Sequence, residues 1–165
     1  MIALCQRRDD LTQMRAQEKC RLEAPENDYT KKSCQKTIDF FNSQINKLNN
    51  AIQKIIDKNL ELQKRQKILR TVPGIGPKLS QDFVCLMPEL GYLNRKEVAS
   101  LAGVAPHPKE SGKAIGYRRI TGGRSNVRTK LFTAAMAAAK SKSALGAFYS
   151  KLIESGKKKM VSSNA

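Results

Sequence analysis

From residue 38 to residue 69 the apolar positions fall three and four apart: Ile38, Phe41, Ile45, Leu48, Ile52, Ile55, Leu62 and Leu69. That alternation is the a/d seam of a heptad repeat. It predicts one long helix over residues 30–71, roughly 60 Å at about 1.5 Å per residue. Asn59 and Gln66 occupy seam positions, and a buried Asn on such a seam fixes register and partner number at some cost in stability. So long a stripe needs a cover, so the helix should pair with residues 3–24, with a second copy of the chain, or with both. Residues 3–24 read as a helix with Leu4, Leu11, Met14 and Leu22 near one face. Ala24-Pro25-Glu26-Asn27-Asp28 reads as the turn between the two.

After residue 70 the long rhythm gives way to short segments. Asn94 and Glu97 form a capping-box pair, with Leu93 and Val98 as its staple, and Gly103 ends the short helix that follows. A helix over residues 125–140 is predicted by Ala134, Ala135, Ala137, Ala138 and Ala139, which also let a neighbour approach closely. A last helix over residues 144–155 carries Leu145, Phe148, Tyr149, Leu152 and Ile153 on one side, and Gly156 ends it. Residues 113–120 suit a short extended run, with Ile115 and Tyr117 facing one way.

Charge changes the picture in one respect. The 165 residues carry a formal charge of +17, with a pI near 10.0. Residues 70–165 hold 17 basic against 5 acidic side chains, whereas residues 1–69 hold 14 against 9. Such an excess points to a polyanionic partner, because released counterions drive basic surfaces onto nucleic acid. Residues 103–130 concentrate it: Lys109, Lys113, Arg118, Arg119, Arg124, Arg128 and Lys130 stand against one acid, Glu110. With Ser111-Gly112 and Gly122-Gly123 in the same stretch, it reads as a surface loop that meets phosphates. The start of the helix at Ser125 is a second candidate anion site, and Ser125 itself suits a helix cap.

Four cysteines, widely spaced and with no C-x-x-C, suit reduced thiols better than disulfides or zinc. No apolar run approaches a membrane span of about 18 residues, and Arg7 and Arg8 break up any leader-like segment. His107, the one histidine, lies between two prolines and reads as a loop residue. Gly74-Ile75-Gly76 resembles the turn of a helix-hairpin-helix, in which bare backbone N–H groups hold a phosphate and Lys78 would add a charge.

In order, the chain carries LRTVPGIGPKLS, VASLAGVAPHPKESGK, RRITGGRSNVRTKLFTAAMAAAKS and LGAFYSKLIESGKKK. The series closely resembles the C-terminal domain of the insertion-sequence 110/116/902 transposases. RRDDLTQMRAQEKCRLEA and the heptad stretch resemble the linker and coiled coil that precede that domain. The resemblance covers residues 4 to about 160. It implies a DNA recombinase that uses a guide RNA to bridge donor and target, with Ser111 of the Ser-Gly motif as the nucleophile attacking a DNA phosphodiester. It also implies that a RuvC-like, magnesium-binding half belongs to the full protein. Nothing here corresponds to that half, so the chain reads as a fragment cut at both ends, expected to be inactive alone.

These readings combine into a mostly α-helical chain. A helical linker and coiled coil spans residues 1–70. A small helical DNA-binding and serine domain with a helix-hairpin-helix, a basic loop and one short β-hairpin spans 71–160, and a disordered tail spans 161–165. Ser111 is the candidate catalytic residue. Gly74, Gly76, Lys78, Lys113, Arg118, Arg119, Arg124 and Arg128 are the candidate nucleic-acid contacts. No metal or other cofactor is expected in this chain, magnesium belonging to the RuvC-like domain. The expected partners are DNA, a structured guide RNA and further copies of the chain, and the expected setting is the bacterial cytoplasm and nucleoid. The rival reading is a non-catalytic coiled-coil adaptor that clamps nucleic acid or inhibits an intact transposase.

Overall fold

The computed structural model describes residues 1–23, 27–107, 110–111, 114–115 and 119–157, with 110–111 and 114–115 described by backbone alone. The chain divides into two compact units, Met1–Arg65 and Gln66–Ala165.

The first unit is an antiparallel helical hairpin of α1 (Ile2–Glu23) and α2 (Asp28–Asp57). Asn27 caps α2, its side chain accepting from Thr30 N at 2.8 Å. Ile38, Ile45 and Ile52, seven residues apart, are buried against α1, and each such side chain contributes about 1.5–3 kcal/mol. The other line of the seam is only partly covered: Phe41 and Leu48 are half-buried and Ile55 is exposed. The buried face of α1 is Cys5, Arg8 and Leu11, whereas Met14 is exposed. Arg8 is fully buried and donates to Asn49 Oδ1 at 3.3 Å; Arg15 donates to Asn42 Oδ1 at 2.8 Å. The two asparagines stand one heptad apart on α2, so a polar ladder runs beside the isoleucines. In the same unit Cys34 is buried beside Glu18. Desolvation, reinforced by that carboxylate, pushes its thiol pKa up, so it stays protonated.

The predicted single helix over 30–71 is broken. α2 ends at Asp57, and α3 (Leu60–Arg70) starts afresh. Asn59 is the cause: its Oδ1 accepts from Glu61 N at 2.9 Å and Leu62 N at 3.2 Å, an N-cap bond set rather than a seam contact. Asn side chains compete with the helix for backbone donors, and here the competition wins. Gln66, the other polar seam position, is buried with its Nε2 3.4 Å from Ser80 Oγ, inside the second unit.

The second unit is built around α4 (Pro77–Leu86). Every residue from 80 to 87 is buried, including Ser80, Gln81 and Asp82. Pro77 at its first position needs no donor, and Gly76 is the N-cap. α6 (Ser125–Ala139) packs against α4 and against α7 (Ala144–Glu154). Lys130 of α6 reaches Asp82 of α4 with Nζ–Oδ2 2.9 Å, the carboxylate 1% exposed. α5 (Arg95–Leu101) has the expected capping box: Asn94 Oδ1 accepts from Lys96 N and Glu97 N, and Glu97 Oε2 accepts from Asn94 N at 2.9 Å. Ser143 caps α7, and Gly156 follows it at φ +82°. The expected disordered tail, 161–165, lies outside the described residues.

Candidate nucleic-acid interface

Between α5 and α6 the chain runs out and back as an antiparallel hairpin. β1 (Pro106–His107) pairs with β4 (Arg119–Ile120), and β2 (Glu110–Ser111) with β3 (Ala114–Ile115). Pro106 faces Ile120 and His107 faces Arg119 in the outer ladder; Glu110 faces Ile115 and Ser111 faces Ala114 in the inner one. Ser111 is therefore the last paired residue of the outgoing arm. Two residues separate the ladders on that arm and three on the return, so the register slips by one between them.

The foot of the hairpin is locked by backbone contact and two arginines. Gly103, Gly122 and Gly123 all have positive φ, between +66° and +72°. A Cβ on Gly103 would lie 2.7 Å from Gly122 O, and one on Gly123 would overlap the Gly103 backbone. The two arms thus meet where only glycine fits. Arg128 Nη1 donates to Gly103 O at 3.1 Å and Gly122 O at 3.2 Å, one carbonyl from each arm. Arg124 makes a fork to Glu89, with Nη2–Oε1 2.6 Å and Nη1–Oε2 2.9 Å, and also donates to Leu86 O at 2.5 Å. That fork holds the Glu89 carboxyl below the usual carboxylate range and raises the guanidinium pKa. Arg124 N donates to Leu101 O at 2.9 Å, fixing the return of the chain at the end of α5.

The candidate contacts therefore fall into separate groups. Arg124 and Arg128 are half-buried at the foot, engaged with protein groups. Arg119 is exposed on β4. Lys113 and Arg118 lie outside the described residues, as do Lys109 and Tyr117. Gly74 (φ +87°) follows α3 in the turn toward α4, and a Cβ there would overlap Ala134 O of α6. The alanines of α6 do admit a close neighbour, and that neighbour is this turn. Gly76 has an ordinary φ of −83° and nothing within 4 Å of its Cβ position. Lys78 is exposed in the first turn of α4.

A model of the Transposase IS116/IS110/IS902 family matches residues 66–150, more than half of the chain. The chain belongs to that transposase family. The match takes in the whole second unit up to the middle of α7 and leaves the α1–α2 hairpin outside.

An uncharacterised 44.8 kDa protein of insertion element IS116 from Streptomyces clavuligerus is 42% identical over 57 residues, 33% of this chain and 14% of that protein. A pilin gene-inverting protein of Moraxella bovis is 32% identical over 111 residues, 66% of this chain and 34% of the relative. Its counterpart in Moraxella lacunata matches to the same extent. The chain thus spans about a third or less of the curated relatives it matches.

Two features of this transposase-family unit were hidden in the sequence. The Asp82–Lys130 and Glu89–Arg124 pairs join residues 48 and 35 positions apart, and no local pattern announces either. Among the described residues no three His, Cys, Asp or Glu side chains converge as a metal site. Asp82, Glu89 and Glu97 are already committed to Lys130, Arg124 and the α5 cap, so the described residues do not fit the magnesium site expected of the RuvC-like half. Among the described residues no helix is long and apolar enough to cross a membrane.

Proposed function

We propose that this chain is the serine-bearing, nucleic-acid-binding part of a transposase, with Ser111 as its nucleophile toward a DNA phosphodiester. The observation that carries the reading is the position of Ser111 as the last paired residue of an arm whose foot is locked. A nucleophile must be held within a narrow geometry to react, and a hairpin on a locked foot supplies that better than a free loop. In the step, the Ser111 oxygen forms a bond to phosphorus while the bond to the departing strand's oxygen breaks. The hydroxyl proton ends on that oxygen. Fixed cations stabilise the spread charge of the transition state.

The cations divide by role. Lys113, Arg118 and Arg119, with Gly76 and Lys78 at the start of α4, take phosphates. Arg124 and Arg128 act by positioning, because their guanidiniums already hold the foot. No step here runs through a metal, which the RuvC-like half would hold. We extend the proposal to a structured guide RNA as second nucleic acid, on the strength of the +17 charge. A second copy of the chain suits the Phe41, Leu48 and Ile55 line that α1 leaves partly uncovered.

Duplex binding by the chain tests the first half of the reading. With about 6–10 phosphate contacts, affinity drops about 10³–10⁵-fold between 50 and 200 mM salt. A suicide DNA substrate tests the second half. Any covalent adduct maps to the Ser111 peptide by mass spectrometry and is lost in Ser111→Ala, which still binds. Absence of DNA binding at low salt, or an adduct on another residue, overturns the proposal.

A further inference from the structure

Beside the outgoing arm of the hairpin lies an open groove of about 810 Å³, between α5 and β1. That volume is within the roughly 300–1,000 Å³ range of small-ligand sites. Arg95 and Lys96 of α5 line it, with the half-buried Val104 and Ala105 and with His107 of β1. The side chains of Arg95 and Lys96 are exposed and make no hydrogen bond or ion pair among the described residues. This sets them apart from Arg124, Arg128 and Lys130, which protein groups already engage. No carboxylate lines the groove among the described residues. Two free cations over an apolar wall match the two surfaces of a nucleic-acid strand, its phosphates and the faces of its sugars and bases.

Four Cα–Cα steps of chain separate His107 from Ser111. At no more than about 3.6 Å per residue they span at most about 14 Å, the rise of roughly four base pairs at about 3.4 Å each. We infer that this groove is a seat for the DNA strand flanking the phosphate presented to Ser111, with Arg95 and Lys96 on its phosphates and His107 against a sugar or base. The inference depends on the proposed DNA role of the chain and names further contacts for it. Net charge alone did not single these residues out, because Arg95-Lys96 reads as an ordinary first helical turn. The charge of the groove selects a polyanion. DNA rather than RNA follows from its closeness to the serine arm.

The test is the salt dependence of binding by the full chain to a DNA duplex, followed by fluorescence anisotropy. Each phosphate contact contributes about −0.9 to the slope of log affinity against log salt. The double variant Arg95→Gln/Lys96→Gln is expected to flatten the slope by about 1.8. The ratio of affinities at 50 and 200 mM then shrinks about 12-fold. Arg95→Lys/Lys96→Arg, which keeps both charges, retains the wild-type slope. His107→p-benzoylphenylalanine crosslinks the DNA on illumination. An unchanged slope in the double variant, with wild-type chain binding normally, overturns the groove and leaves the proposed function standing. A change confined to RNA of the same sequence overturns DNA as the occupant. Wild-type chain that binds no DNA removes both readings together.

Discussion

Gly74→Ala separates two accounts of the Gly74-Ile75-Gly76 turn. If the turn is a phosphate clip, a methyl group at Gly74 should weaken DNA binding and leave the fold alone. The structure predicts the reverse. Gly74 sits at φ +87°, where a side chain costs about 1–3 kcal/mol. Its Cβ would also fall onto the backbone of α6 at Ala134, with Ala138 N only 3.0 Å away. Backbone atoms in mid-helix cannot rotate aside as a flexible side chain can, so α6 must shift, at about 1–3 kcal/mol for overpacking. Together these destabilise the second unit by about 2–6 kcal/mol, set against the roughly 5–15 kcal/mol that holds a domain together.

Gly76→Ala is the matched control. There φ is −83° and the Cβ position is open, so the cost is a weaker cap, offset by lower unfolded-state entropy, and is below about 1 kcal/mol. Urea unfolding followed by circular dichroism reads both variants. Exchange protection of the α4 and α6 amides locates the loss. At about 4–8 °C per kcal/mol for a unit of this size, Gly74→Ala lowers the melting temperature by 8 °C or more. A Gly74→Ala chain that melts with the wild type but binds DNA weakly would refute the packing argument and restore the clip.

Further outcomes follow from other parts of the structure. Asp82→Ala removes the buried carboxylate paired with Lys130, half-buried beside α4, and is expected to destabilise by about 3–5 kcal/mol in urea, whereas Asp82→Ala/Lys130→Met recovers most of that loss. Glu89 has a depressed pKa, so its pair with Arg124 contributes stability that is fully present above about pH 4.5 and is lost as pH falls through the lowered value; Glu89→Gln removes that part of the acid dependence of unfolding. In the native chain only the exposed Cys20 reacts quickly with a thiol reagent, while Cys5, Cys34 and Cys85 wait for unfolding, so a fast count above one would contradict their burial. Asn59→Ala removes the cap that restarts the helix and is expected to cost about 1 kcal/mol, measured by helix content and urea midpoint.

The helical segments were legible because caps and periodicity are local. Asn94 and Glu97 announced α5, and Gly103 and Gly156 announced two helix ends; each works through bonds within a few residues. The seam over residues 38–55 was equally legible, since Ile38, Ile45 and Ile52 fall on one side of a helix wherever they are packed. Two errors share a cause. Asn59 was read as a seam residue because its spacing fitted, but the same side chain can cap a helix, and spacing alone does not decide between these. Arg8 was left out of the face assigned to residues 3–24, because arginine is usually exposed, yet Asn49 gives it an acceptor from 41 residues away. α4 was the hardest element to see. Its Ser80-Gln81-Asp82 run looks like a surface, and partners distant in sequence, Gln66 and Lys130 among them, help make its burial tolerable.

The site divides along the same line. A sequence shows that a stretch is basic, but it does not show which cations are left over once the protein has used its share. Seven cations crowd residues 103–130, and reading all of them as phosphate contacts counts charge without counting acceptors. Three are committed: Arg124 to Glu89 and Leu86 O, Arg128 to the Gly103 and Gly122 carbonyls, and Lys130 to Asp82. A guanidinium held by a carboxylate fork has lost much of its net charge toward a third party, and leaving Glu89 to bind DNA would expose a like charge to the strand. The same glycine and arginine residues that suggested a flexible phosphate loop therefore build its opposite, a braced foot beneath a hairpin arm. Bracing is what the proposed role of Ser111 requires, because catalysis by position depends on the nucleophile not wandering from its target. On the proposed reading, charge for the polyanion comes from cations that no protein group claims among the described residues, which is why Arg119 on the return arm and the Arg95-Lys96 pair beside the outgoing arm matter more than their sparser setting in the sequence suggests.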